Sequence, residues 1–173
     1  RWVLKLDFVG ANEGVVLRGE DRSETVLSYF KGQPEDWKQA VPAYGQLVYE
    51  NVWDGIDLVF SGTAEKLKYD FVVEPGADPG EIGLAYRGAE GLRVNAAGEL
   101  EVETGVEVLV DEAPVAWQEI GDERVPVEAG YRLEGMGGTD LEEARGYGFR
   151  LGAYDPRYEL VIDPAVVVYA GYI

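Results

Sequence analysis

Leu67-Lys68-Tyr69-Asp70-Phe71-Val72-Val73 sets a large apolar side chain at every second position, with Lys68 and Asp70 between them. Successive side chains of a strand point to opposite faces, so a period of two places Leu67, Tyr69, Phe71 and Val73 on one dry face. Lys66, Lys68 and Asp70 fall on the wet face, where an ion pair across strands is expected. Aromatic and β-branched residues at the dry positions favour strand over helix. The alternation extends in both directions. Upstream, Trp2, Leu4, Leu6 and Phe8 alternate with Val3, Lys5 and Asp7. Downstream come Val106-Glu107-Val108-Leu109-Val110, then Val125, Val127, Ala129, Tyr131 and Leu133, then Tyr147, Phe149 and Leu151. Each reads as a half-buried antiparallel strand.

Turn chemistry separates these runs. Asn95-Ala96-Ala97-Gly98 lies between Leu92-Arg93-Val94 and Leu100-Glu101-Val102 and predicts a hairpin in which Gly98 takes a positive φ. Gly121-Asp122 predicts a second hairpin, after Val115–Ile120. Pro75-Gly76-Ala77-Asp78-Pro79-Gly80 is the strongest break, and 74–80 is a candidate subdomain boundary. Helix is scarce. Pro34-Glu35-Asp36-Trp37-Lys38-Gln39 suits one or two turns, with Pro34 in the first helical position. Thr139-Asp140-Leu141-Glu142 fits a capping box after the glycine-rich Gly135–Gly138. The fold class expected is all-β: antiparallel, sandwich-like or partly open barrel sheets, with one or two short helical turns. Residues 1–173 read as a single β-rich module of a longer chain. It opens in mid-pattern, as a mature or trimmed fragment with its leader upstream would, and 165–173 reads as a strand leading toward a next domain.

Composition narrows the function. The 173 residues contain no Cys and no His and carry a net charge of −18. A Ser-His-Asp or Cys-His centre therefore cannot be assembled within this chain, and neither can a thiolate metal site. The charge argues against nucleic acid, whose phosphates require clustered Lys and Arg, and against an anionic membrane surface. No apolar run approaches the length of a membrane span, so membrane insertion is not expected.

Two sets of residues are candidates for binding. Asp54-Gly55-Ile56-Asp57 places two carboxylates around a tight turn. Asp54 and Asp57 could supply oxygen to Ca2+, or Asp54 could cap the turn while Ile56 enters the core. Trp37 and Trp53 stand near turns, where an aromatic face could stack on a sugar or pack inward. Asp155-Pro156 and Asp163-Pro164 read as turns whose carboxylates bond local backbone N–H groups. No cofactor is expected, with calcium the one ion considered.

An ordered set of segments carries a family resemblance. It comprises Leu6-Asp7-Phe8-Val9-Gly10-Ala11-Asn12, Ser28-Tyr29-Phe30-Lys31-Gly32 with Trp37 after Pro34, Val41-Pro42-Ala43-Tyr44, Val52-Trp53-Asp54-Gly55-Ile56-Asp57-Leu58-Val59-Phe60 and the Leu67–Val73 stretch. Pro75-Gly76-Ala77-Asp78-Pro79, Gly88-Ala89, Pro114 with Trp117-Gln118, Gly152-Ala153-Tyr154-Asp155 and Leu160-Val161-Ile162-Asp163-Pro164 complete it. The chain resembles the domain of unknown function that precedes SBBP repeats, the seven-bladed β-propeller repeats of bacterial secreted and surface proteins. The resemblance implies a β-rich fold, export, and a multidomain setting; it implies no activity and no catalytic residues. It also implies strands upstream of Trp2, so a strand supplied by another segment is one expectation. The function expected is a non-enzymatic extracellular structural or adhesive module, secreted or at the cell surface. Its partners would be neighbouring domains of the same polypeptide or other surface proteins. A carbohydrate- or calcium-binding module and a subunit assembled by strand donation are the alternatives.

Overall fold

The computed structural model describes residues 3–62, 67–134 and 144–164. In chain order the strands among them are β1 (Lys5–Val9), β2 (Val16–Tyr29), β3 (Lys38–Trp53), β4 (Ile56–Gly62), β5 (Leu67–Val73), β6 (Gly83–Arg87), β7 (Gly91–Val94), β8 (Leu100–Glu103), β9 (Val108–Asp111), β10 (Val115–Ile120), β11 (Glu123–Val127), β12 (Ala129–Glu134), β13 (Ala144–Leu151) and β14 (Leu160–Asp163). They make a four-stranded sheet in the order β1-β6-β13-β12, a seven-stranded sheet in the order β11-β10-β14-β5-β4-β3-β2, and a three-stranded sheet in the order β7-β8-β9. The pairings are antiparallel and no barrel closes, so the fold is all-β and sandwich-like.

The core is built on the dry face of β5. Tyr69, Phe71 and Val73 are buried beside Ile56 and Leu58 of β4 and Leu160 and Ile162 of β14. Their register, Ile56↔Val73 and Leu58↔Phe71 on one side and Leu160↔Val73 on the other, lines these side chains up on one surface. From the four-stranded sheet, Leu84 and Tyr86 of β6, Tyr131 of β12, and Tyr147 and Phe149 of β13 join the same cluster. The Phe71 and Phe149 rings meet across the two sheets at 5.7 Å between centroids. Burying each such side chain is worth about 1.5–3 kcal/mol. The Pro75–Gly80 break links β5 in one sheet to β6 in the other, and the cluster draws residues from both sides of it.

Both hairpins form where turn chemistry placed them. Gly98 has φ +83° and Gly121 φ +65°. Asn95 holds the first turn, its side-chain oxygen accepting from the backbone N–H of Ala97 (2.9 Å) and Glu99 (3.1 Å). Pro34–Asp36 forms a single 3-10 turn with Pro34 at its start; a second, at Pro79–Glu81, lies inside the segment read only as a break. The Thr139–Glu142 capping box and the strand expected over 165–173 lie outside the described residues.

Two expectations from alternation are corrected. The run Val125–Leu133 is not one strand. It divides at Glu128, with β11 in the seven-stranded sheet and β12 in the four-stranded one. Val127 and Tyr131 are buried while Val125 and Leu133, at the outer ends, are exposed. The Val106–Val110 run is not half-buried either. Its strand β9 is the outer strand of the three-stranded sheet, and Val108, Leu109 and Val110 all remain exposed. Period two sorts side chains onto two faces, but it does not supply a layer to cover them.

Candidate functional site

β2 and β3 are the longest strands, at 14 and 16 residues. β4 accompanies β3 only from Gln46↔Ser61 to Trp53↔Ile56. Beyond Gln46, β2 and β3 continue as a two-stranded arm through Arg22↔Tyr44, Val26↔Pro42, Leu27↔Val41 and Tyr29↔Lys38. At about 3.3 Å per residue the arm reaches roughly 25 Å past the last β3–β4 pair. Every residue from 21 to 40 is exposed. The arm is not a plain ribbon: register shifts fall between Arg22 and Val26 and between Leu27 and Tyr29, and Asp21 (φ +50°) and Ala40 (φ +54°) take left-handed backbone. The Ser28 hydroxyl accepts from the Ala40 N–H at 3.2 Å, holding one of these irregular points. At the root, the Tyr44 ring lies over Gly19, where an added Cβ would come within 2.6 Å of it.

The arm ends in an apolar tip. Val26, Leu27 and Tyr29 lead to Phe30, which is 62% exposed, and Trp37, 40% exposed. The two rings pack edge to face at 5.2 Å. Large apolar groups clustered on a projecting element mark contact surfaces far more often than scattered single ones do.

Of the two tryptophans proposed for sugar stacking, the structure thus separates one from the other. Trp37 is on the tip. Trp53 is 3% exposed, packed between Phe8 (6.1 Å) and Phe71 (5.9 Å), with its Nε1 donating to the Val9 carbonyl at 2.9 Å. Neither face of that ring is open to a ligand, so Trp53 is a core residue. The register shift between Tyr49 and Trp53, with Asn51 at φ +51°, turns the end of β3 inward.

Asp54 and Asp57 both serve the β3–β4 turn. The Asp54 carboxylate accepts from the Asn12 side-chain amide at 3.1 Å, and Asp57 accepts from the Asn51 N–H at 2.7 Å. Gly55, at φ +70°, donates its N–H to the Asn51 side chain at 3.0 Å, and Ile56 is fully buried. Among the described residues no group of three or more carboxylates is gathered to hold a metal. Asp155 behaves as read: its carboxylate accepts from the Arg157 N–H at 3.1 Å and its Nη2 at 2.6 Å. Those bonds hold its carboxyl down at about 2. The residues that would follow an Asp163-Pro164 turn lie outside the described ones. Asp163 ends β14 and takes Lys68 Nζ at 2.6 Å, while the same ammonium lies 3.3 Å from Asp70. Burial nonetheless pushes the Asp70 carboxyl up, with Lys68 opposing. The expected ion pair across strands therefore exists between Lys68 and Asp163; Lys66 lies outside the described residues.

Alternation gave no sign of a buried polar cluster beneath β9. The Tyr86 hydroxyl donates to Asp111 Oδ2 at 2.9 Å, and the Tyr131 hydroxyl lies 2.8 Å from the carbonyls of both Glu112 and Pro164. Tyr69 and Tyr147 are buried beside them, and the Tyr86 and Tyr147 rings stack at 5.7 Å. Burial pushes all four phenols well above the ordinary tyrosine value, with the Asp111 charge adding to the effect. Burial also raises the Asp111 carboxyl, opposed by the Tyr86 hydrogen bond. The phenols therefore stay neutral; Tyr86 and Tyr131 donate hydrogen bonds, while the buried Tyr69 and Tyr147 hydroxyls find no partner among the described residues. The only sequence signal for this cluster was the number of tyrosines on dry-face positions.

Fold and site together define a sandwich-like all-β module that holds out a β-arm with an apolar tip. The model of the family described as a domain of unknown function, DUF7948, matches residues 1–165, and the chain belongs to that family. No curated protein and no solved structure matches it.

Proposed function

We propose that this chain is a non-enzymatic structural or adhesive module of a multidomain bacterial surface protein, exported from the cell, and that the β2–β3 arm is its docking element. The observation that carries this reading is the tip: Phe30 and Trp37 packed on each other in solvent at the end of a ribbon exposed throughout residues 21–40. A ribbon of two strands is marginal in water by itself, so a long one with an apolar end is suited to contact with a partner. The resemblance to domains that precede SBBP repeats supports export and a place beside further domains. The charge of −18 suits a protein that must stay dispersed at a crowded surface.

The test is made on the full-length protein in its own cells. Surface labelling of intact cells should reach it, and the Phe30→Ser/Trp37→Ser variant should keep the wild-type circular dichroism spectrum while losing attachment of the cells to surfaces or to one another. Labelling only after lysis, or attachment unchanged in the variant, would overturn the reading. The exposed Trp37 ring also favours a glycan contact at the same tip. Calorimetry with oligosaccharides should then show heat that Trp37→Ala abolishes, and flat wild-type traces remove that option.

A further inference from the structure

The outer edge of β2 has no neighbouring strand among the described residues, and its charges repeat with a particular symmetry. Every second residue reads Val16, Arg18, Glu20, Arg22, Glu24, Val26. Turned end for end about Asp21, the series sets Val16 against Val26, Arg18 against Glu24, and Glu20 against Arg22. We propose that β2 pairs antiparallel with β2 of a second copy of this chain about a two-fold axis at Asp21, joining the two arms into one four-stranded ribbon, β3-β2-β2-β3. The inference rests on the reading of the arm as a docking element and names its partner along the root.

Four observations support a second copy over another occupant. First, the pairing is self-complementary: every cation in the series meets a carboxylate, and each contact occurs twice by symmetry, as a two-fold interface requires. Arg18 already joins Glu20 (2.8 Å) and Glu50 (2.8 Å), so the added Glu24 carboxylate would extend an existing row of alternating charge. Second, the arm is where copies can approach. Residues 16–46 hold four cations and five carboxylates, a net charge of −1, so the rest of the chain carries −17 of the −18. Third, the edge carries unpaired backbone N–H and C=O groups, regular from Val16 to Glu20 and interrupted at Asp21 and between Arg22 and Val26, and a third and fourth strand relieve the marginal stability of a two-stranded ribbon. Fourth, the one like-charged pair falls on Asp21, whose left-handed backbone sits on the axis and is shared by both copies. Its side chain lies against Gly45 of its own β3, where an added Cβ would come within 3.1 Å of it.

Light scattering over a concentration series tests the pairing. The wild-type chain should approach twice its 19.0 kDa mass, and added salt should shift it back toward one chain. The Arg22→Glu/Glu24→Arg exchange keeps composition and net charge, yet sets carboxylate against carboxylate and guanidinium against guanidinium across the axis. It should stay a monomer with an unchanged circular dichroism spectrum. Asp21→Cys introduces the chain's sole thiol at the axis, where opposed Cα atoms of an antiparallel pair fall within disulfide reach. Mild oxidation should link it into a dimer, whereas Lys38→Cys, on the outer strand of the proposed ribbon, should not link. A wild-type chain monomeric throughout, an exchange variant that still dimerises, or equal linking of the two cysteine variants overturns the proposal. The tip variant Phe30→Ser/Trp37→Ser separates the two readings. If dimerisation fails while the tip still governs attachment, the docking function stands without this partner. If attachment ignores the tip while the dimer forms, the docking function falls alone.

Discussion

Gln118 and Asp155, 37 residues apart, exchange two hydrogen bonds of 2.8 Å: the glutamine amide donates to the Asp155 carbonyl, and the Asp155 N–H donates to the glutamine oxygen. Gln118 is 1% exposed, on β10, and also donates to the Tyr158 carbonyl at 3.1 Å. One side chain thus satisfies the backbone of the loop that leads into β14. Gln118→Leu keeps the volume and strands at least three backbone groups, so urea unfolding should show a loss of about 2–4 kcal/mol.

The two tryptophans of unlike burial should respond in opposite ways. Trp53→Ala removes a packed ring and the donor to Val9, and is expected to cost about 3–5 kcal/mol in chemical denaturation. Trp37→Ala, on the arm tip, should stay within about 0.5 kcal/mol of wild type. Near-equal losses would show that the tip packs against something in the free chain.

Gly88 turns the chain out of β6 at φ +90°, and a Cβ there would come within 2.6 Å of the Val3 carbonyl oxygen. The neighbour is backbone, so it cannot rotate aside, and the left-handed conformation adds its own strain. Gly88→Ala should cost about 2–3 kcal/mol, with faster amide exchange in β1 than in β5 as its local signature.

Asp111 should make stability depend on pH in a particular direction. Its folded carboxyl is raised by burial, so above the unfolded value near 3.9 the unfolded chain releases a proton that the folded chain retains. That costs stability as pH rises through the window between the two values, and the cost persists at neutral pH. Asp111→Asn can still accept from Tyr86 and has no charge to bury. It should be more stable than wild type at pH 7, with the advantage fading on acidification below the unfolded value. The comparison of urea midpoints at several pH values checks this, and an advantage that grew on acidification would contradict it.

Much of the fold was legible because alternation reports a local property. Tyr69, Phe71 and Val73 are dry because three positions of one parity are apolar, and Gly98 and Gly121 turn because nothing else takes those φ values at low cost. Trp53 was not legible. Its parity on β3 is reset by the bulge at Asn51, a backbone event that composition does not announce. Nor was the division at Glu128, since residues on either side keep the same period while entering different sheets. The arm was hidden for another reason: the alternation read from the sequence includes no strand over 16–29 or 38–53, and only the structure shows β2 and β3 there, with β4 accompanying only part of their length.

By itself the sequence determined that this chain is built of antiparallel strands, that no thiol or imidazole chemistry resides in it, and that its surface is acidic. Those follow from the identity and parity of residues, which act over one or two positions. Tertiary structure alone decided which apolar residues are covered. Burial depends on whether a second layer lies opposite a face, and that is set by strands distant in sequence. So Phe71 finds Phe149 across the sandwich, while Phe30 packs on Trp37 at the end of an exposed arm.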